Sequence, residues 1–221
     1  MRAALAILAL LAMFLPCVAE AHPHIWISQF VRLISKDGKF THVELEWRFD
    51  PFSSEIEIPL IDENQDGRLS SYEANSLGQE MMPELEKYGY MTWFNTGDKD
   101  FRPPKPPAFT VHIDDPASFT LPDWDRNAGD GQQTTPLTKT VPLAGPGKRG
   151  PRNLVYVMRF ELPTPAKFIS VTTFDPEDFI RIEIDKASQP AGCTVGKHPT
   201  RKSEFVRGYP VFADVTSCRL P

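Results

Sequence analysis

Cysteine, glycine and net charge are all scarce in this chain. Three cysteines in 221 residues are too few for a disulfide-dense scaffold. Only 13 glycines stand against 22 prolines. That ratio excludes a collagen-like chain and argues against a mostly helical one, because proline removes a donor and breaks helix interiors. Strands, turns and stiff loops are expected instead. A net charge of -5 supplies no strong positive field, so nucleic acid is not an expected partner. Also missing are a G-x-S-x-G elbow, an H-E-x-x-H pair and a phosphate-binding glycine loop. No nucleophile system stands out, and the chain is not read as an enzyme.

What is present begins with a targeting segment. Arg2 gives a positive start, an apolar run follows, and Ala19-Glu20-Ala21 is a small-x-small cleavage site. Residues 1–21 therefore read as a signal peptide. Cys17 is not a lipidation site on this reading, because Pro16 stands where a small residue would be needed. Cleavage leaves about 200 residues, the size of one periplasmic β-rich domain, 22–221, that is not stably inserted in the membrane. It also leaves Cys193 and Cys218, which an oxidising compartment would join.

The expected fold is mainly β (α+β): an antiparallel β-sandwich-like domain with a helical insertion at 52–88. Residues 24–34 and 39–49 read as a hairpin around Asp37-Gly38. With those two at the centre of the turn, Trp26, Phe30 and Ile34 share a face with Val43, Leu45, Trp47 and Phe49. The first strand is apolar on both faces, which predicts a central strand. Ala74, Leu77, Met81 and Leu85 predict a helix over 71–87, with Pro83 as a break or kink. Further strands are expected at 90–94, 109–113, 118–121, 154–162, 168–174, 179–184 and 210–217. Residues 122–153, rich in Pro, Gly, Asp and Thr, read as a long surface excursion.

Two constellations carry chemistry. Residues 62–73 fit D-x-[DN]-x-[DN]-G-x5-E at every position. Asp62, Asn64 and Asp66 supply side-chain oxygens, Arg68 its carbonyl, Ser70 a direct or water-borne ligand, and Glu73 two closing oxygens; Gly67 permits the turn. This donor set suits Ca2+. Ser70 and Glu73 also form a capping box. Ile58-Pro59-Leu60-Ile61 is a poor end for an incoming helix, so one good flanking helix is expected.

The second constellation is His22-Pro23-His24 at the new N-terminus. A free α-amine and two imidazoles suit zinc, nickel, cobalt or copper. Pro23 has no amide hydrogen and so blocks the square-planar mode through backbone amides. His112 and Asp175 are the candidate further ligands. His42 reads as too far along the hairpin, and His198 as a loop residue with no role.

A signal peptide followed directly by H-P-H-I-W-I, a D-x-N-x-D-G loop before a helix, and F-D-P-x-x-F at 174–179 together resemble one family. It is a domain-of-unknown-function family of bacterial periplasmic proteins, often labelled periplasmic components of ABC-type transport systems. Members commonly accompany nickel/cobalt-exporter-type permeases. The resemblance implies a transition-metal-binding accessory protein for an inner-membrane metal permease, with His22 and His24 handling metal and Asp175 in a functional turn. Two other readings stay open. One is a copper-dependent histidine-brace monooxygenase with His112 as the distant ligand. The other is a calcium-stabilised structural or adhesion domain.

Overall fold

The structure, a computed structural model, describes residues 25–114, 152–177, 179–186, 190–206 and 209–221. The signal peptide, His22, His24, the expected strand at 118–121, and nearly all of the 122–153 excursion lie outside the described residues.

Ten strands, two α-helices and one short 3-10 helix (Gly89–Met91) form among the described residues. The strands are β1 (Ile25–Lys36), β2 (Lys39–Phe49), β3 (Thr92–Asn95), β4 (Asp100–Phe101), β5 (Ala108–Asp114), β6 (Asn153–Ala166), β7 (Phe168–Thr173), β8 (Ile180–Ile184), β9 (Cys193–Val206) and β10 (Tyr209–Arg219). Helices α1 (Pro51–Ile61) and α2 (Ser71–Lys87) sit between β2 and β3. The protein is mainly β. One sheet runs β5-β6-β2-β1-β8 and the other β4-β3-β7-β10-β9. The two share one core, with Trp47, Leu45, Met158 and Phe160 from the first meeting Phe94, Ile169 and Val171 from the second. Phe160 stacks edge-on with Phe94 and Tyr90.

β1 is a central strand, as its two apolar faces imply. Its pairing with β8 is parallel, however, where antiparallel pairing throughout was expected. The hairpin also departs from its expected register. Lys36 faces Lys39 and Ser35 faces Phe40, as the Asp37-Gly38 turn dictates, but Ile34 then faces His42. Thr41 is the extra residue, and its hydroxyl donates to the Ile34 carbonyl at 3.2 Å. A slip of one residue turns every later side chain over. Ile27, Gln29 and Val31 therefore join Val43, Leu45, Trp47 and Phe49 in the core, and Trp26 and Phe30 go to the outer face. Buried Gln29 uses its position to accept a bond from the Trp47 indole at 2.8 Å. Outside, Glu44 is buried beneath Arg32 and Arg159, which both pair with it.

In the second sheet β9 forms where no strand was expected, and it bulges. Lys202 faces Phe212, yet Lys197 faces Asp214. The surplus residues carry His198 and Arg201 over to Asp100, where Arg201 Nη2 donates at 2.8 Å. Cys193 and Cys218 are cross-strand partners of β9 and β10 and are disulfide-bonded, as expected of the pair.

Candidate metal centres

Asp50 starts the helix–loop–helix. It is the N-cap of α1, and its Oδ1 accepts from the Ser53 amide at 2.9 Å. Pro51 then occupies the first turn, where no donor is required. The expectation of a poor incoming helix is corrected here: α1 runs to Ile61 with Pro59 inside it. Packing outweighs the one donor lost at Pro59. The Ser54 hydroxyl accepts from the Leu154 amide at 2.9 Å and donates to the Phe49 carbonyl at 3.2 Å. Ile58 is 1% exposed. Ser54 thus satisfies the ends of β2 and β6, where unpaired backbone groups would be costly.

Beyond α1 the chain makes the turn that residues 62–73 require. Gly67 has φ +79° and Gln65 φ +57°. Buried Asp62 accepts from the amides of Asp66 at 3.1 Å and Gly67 at 2.8 Å. Asp66 accepts from the Arg68 amide at 2.8 Å, and Asn64 Oδ1 from the Asp66 amide at 2.9 Å. Leu69 packs against the core. The capping box forms as expected. Glu73 Oε2 accepts from the Ser70 amide and hydroxyl, both at 2.7 Å, and the Ser70 hydroxyl accepts from the Glu73 amide at 3.3 Å. Glu73 Oε1 accepts from the Glu63 amide at 2.9 Å, tying the first turn of the loop to α2. The Ser70 hydroxyl, then its amide, hold the Glu73 carboxyl below the usual carboxylate range.

The donor atoms of this loop are all oxygen, which fits a hard cation such as calcium rather than a thiolate- or imidazole-seeking metal. Asp62, Asn64, Asp66, the Arg68 carbonyl, Ser70 and Glu73 are the residues that would hold it. The carboxylates are turned onto backbone amides. Among the described residues, no three His, Cys, Asp or Glu side chains converge as a metal-holding group.

A second region forms at the N-terminal end of β1. Two Phe-Asp-Pro sequences flank it, Phe49-Asp50-Pro51 and Phe174-Asp175-Pro176. Asp50 Oδ2 accepts from the Trp26 amide at 3.2 Å, and the Asp50 amide donates to the Trp26 carbonyl at 2.9 Å. On the other side Ile25 pairs with Ile180, whose amide donates to Asp175 Oδ2 at 2.9 Å. Asp175 also accepts from Phe179 at 2.9 Å and Glu177 at 3.0 Å. Both aspartates are buried, each 8% exposed. Each caps the turn that contains its own proline; Asp50 also binds β1 itself, and Asp175 binds its neighbour β8. Asp50 was missed in the sequence, although the repeated F-D-P triplet is a visible signal for it.

The remaining histidines lie elsewhere. The ladder Ser28, Arg48, Val155, His112 sets His112 three strands from β1, about 14 Å at ordinary strand spacing. Its Nε2 is 3.4 Å from Asp114 Oδ1, at the edge of the sheet. His42 sits on the bulge, with Nδ1 3.0 Å from the Thr41 hydroxyl. His198 lies in β9 rather than in a loop. Its Nδ1 accepts from the amides of Thr200 at 3.2 Å and Arg201 at 3.0 Å, which leaves the ring proton on Nε2, 3.4 Å from Asp100.

Two sheets on a shared core, with a helix–loop–helix between β2 and β3, define a mainly β protein built around the anchored start of one central strand. The chain belongs to the family described as "Protein of unknown function (DUF1007)", which matches residues 7–209. No curated protein and no solved structure matches it. Among the described residues no helix is long and apolar enough to cross a membrane.

Proposed function

We propose that this is an exported, calcium-stabilised β-sandwich protein that binds a transition metal (zinc, nickel or cobalt) at its processed N-terminus and supports an inner-membrane metal permease. One observation carries the reading. His22-Pro23-His24 immediately precedes a strand whose first residues are bonded on one side to the buried Asp50 turn and paired on the other with β8, which the buried Asp175 turn holds. A terminal pair of imidazoles gains affinity when the backbone that bears it is already ordered, because less entropy is lost on binding. Asp175, beside that strand end, is the better candidate for a further ligand. His112, three strands away, is the weaker one, which also counts against the copper-brace alternative. Calcium in the 62–73 loop is the structural ion of this reading, and Glu73 is its closing ligand.

Protein recovered from the periplasm tests the proposal. Its intact mass should correspond to a chain beginning at His22 with Cys193 and Cys218 oxidised. Metal analysis should find calcium together with about one transition-metal equivalent. A chain that retains Met1 or carries a lipid on Cys17 would remove the terminal site.

A further inference from the structure

Helix α1 is inside out. Its buried residues are Ser53, Ser54 and Ile58, while Phe52 is 75% exposed, Ile56 52% and Leu60 72%. These three recur every four residues, so with Pro59 they form one continuous stripe along the outer face. Scattered exposed apolar side chains need no explanation, but a contiguous row of large ones marks an interaction surface. The bonds of Ser54 to β2 and β6 fix which way the helix faces, so the stripe has no route inward.

The charge around the stripe selects what covers it. At about 100° per residue, Glu55 and Glu57 fall on its two flanks. Arg152 takes Glu55, with Nη2 3.0 Å from Oε2. Glu57 and Glu63 are both exposed. Between Phe49 and Gly67 there is no lysine or arginine. An anionic lipid surface would meet this acidic rim with like charge, and so would a second copy of the same helix.

We infer that the Phe52–Ile56–Leu60 face of α1 is a docking surface for an apolar helix of a partner polypeptide flanked by lysine or arginine. The partner's apolar ridge covers the stripe, and its cations meet Glu57 and Glu63. The stripe and its rim use none of the proposed metal ligands, so docking in fixed calcium stands or falls separately from the transition-metal site.

The test is a fluorescence-anisotropy titration of the mature chain, in millimolar calcium, with two labelled model helices. One is built of leucine and lysine, the other of leucine and glutamate. The leucine–lysine helix should bind and the leucine–glutamate helix should not. Ile56→Ser should weaken binding about tenfold, as loss of a central apolar anchor does. Glu57→Lys should weaken it about threefold by reversing one rim charge. Tyr88→Ser, an exposed aromatic away from the stripe, should leave it within about twofold. Since Ile56 and Glu57 are exposed, both variants should melt with the wild type, which separates lost docking from lost folding. Four results would each overturn the proposal: unchanged affinity in Ile56→Ser; equal binding of the two helices; binding to phosphatidylethanolamine–phosphatidylglycerol vesicles in place of the lysine helix; or an Ile56-dependent dimer in sedimentation. Absence of binding by the wild type would overturn it as well.

Discussion

Asp50 is the residue on which the architecture turns. One carboxylate accepts from the Ser53 amide, the Ser53 hydroxyl and the Trp26 amide. It therefore starts α1 and holds the first residues of β1 at once. Asp50→Ala should cost about 2 kcal/mol, the upper end for an N-cap, because buried donors are left without an acceptor. Asp50→Asn keeps an acceptor and should recover part of that in a urea titration. Glu73 makes a different prediction. Its folded pKa is depressed, chiefly by the Ser70 hydroxyl. A depressed carboxylate contributes stability that is present above its unfolded pKa, about 4.3, and is lost as pH falls through the folded value. In chelator, the gap in melting temperature between wild type and Glu73→Gln should therefore hold near neutrality and narrow below about pH 4. With calcium added, wild type should gain melting temperature by mass action, and Glu73→Gln should lose most of that gain. Equal stabilisation by magnesium, or none by calcium, would reduce the loop to an acidic turn.

At the level of elements, the β1–β2 bulge decides which face of β1 enters the core. Deleting Thr41 would restore the register that the Asp37-Gly38 turn starts. Trp26, Phe30 and Ile34 would then be driven inward and Gln29 out. The deletion should abolish the near-ultraviolet tryptophan signal of Trp47, whereas Thr41→Ala, which keeps the residue count, should preserve it. The disulfide acts at the same scale. Replacing Cys193 and Cys218 together by serine should cost about 3 kcal/mol for a loop of this length. Chemical denaturation reads that loss, which should match reduction of the wild type.

What the sequence revealed at this scale was local. The Asp-Gly turn, the capping box of α2, the cysteine pair and the two-faced β1 all follow from residues a few positions apart. The bulge at Thr41 was not legible, because one extra residue in a strand leaves the hydrophobic alternation of each strand intact. Helix α1 was hidden twice: Pro59 imitates a helix stop, and the inward serines invert the usual polarity. Parallel β8 pairs with a strand some 150 positions earlier, a distance at which no local pattern constrains it. β9 is an edge strand of mostly polar residues with Pro199 at its bulge, and its sequence resembles a loop.

For the molecule as a whole, the helix–loop–helix and the second Asp–Pro turn brace one strand end from opposite sides, and the histidine pair is attached to that end. The candidate site was legible as two separate motifs, one acidic and one imidazole-bearing. Their link through Asp50 was not, because it depends on β2 delivering Asp50 beside Trp26. This arrangement predicts metal affinity governed by the terminal imidazoles and insensitive to His112. Both imidazoles must be neutral to bind, so affinity should fall between about pH 7.5 and pH 5.5 as groups of pKa near 6.5 take up protons.

Isothermal titration of zinc, at about pH 7.5, into protein that begins at His22 and is already saturated with calcium tests the central claim most directly. One tight equivalent in the wild type, weakened at least about tenfold in His24→Ala and unchanged in His112→Ala, is the predicted result. Identical isotherms for wild type and His24→Ala would contradict it.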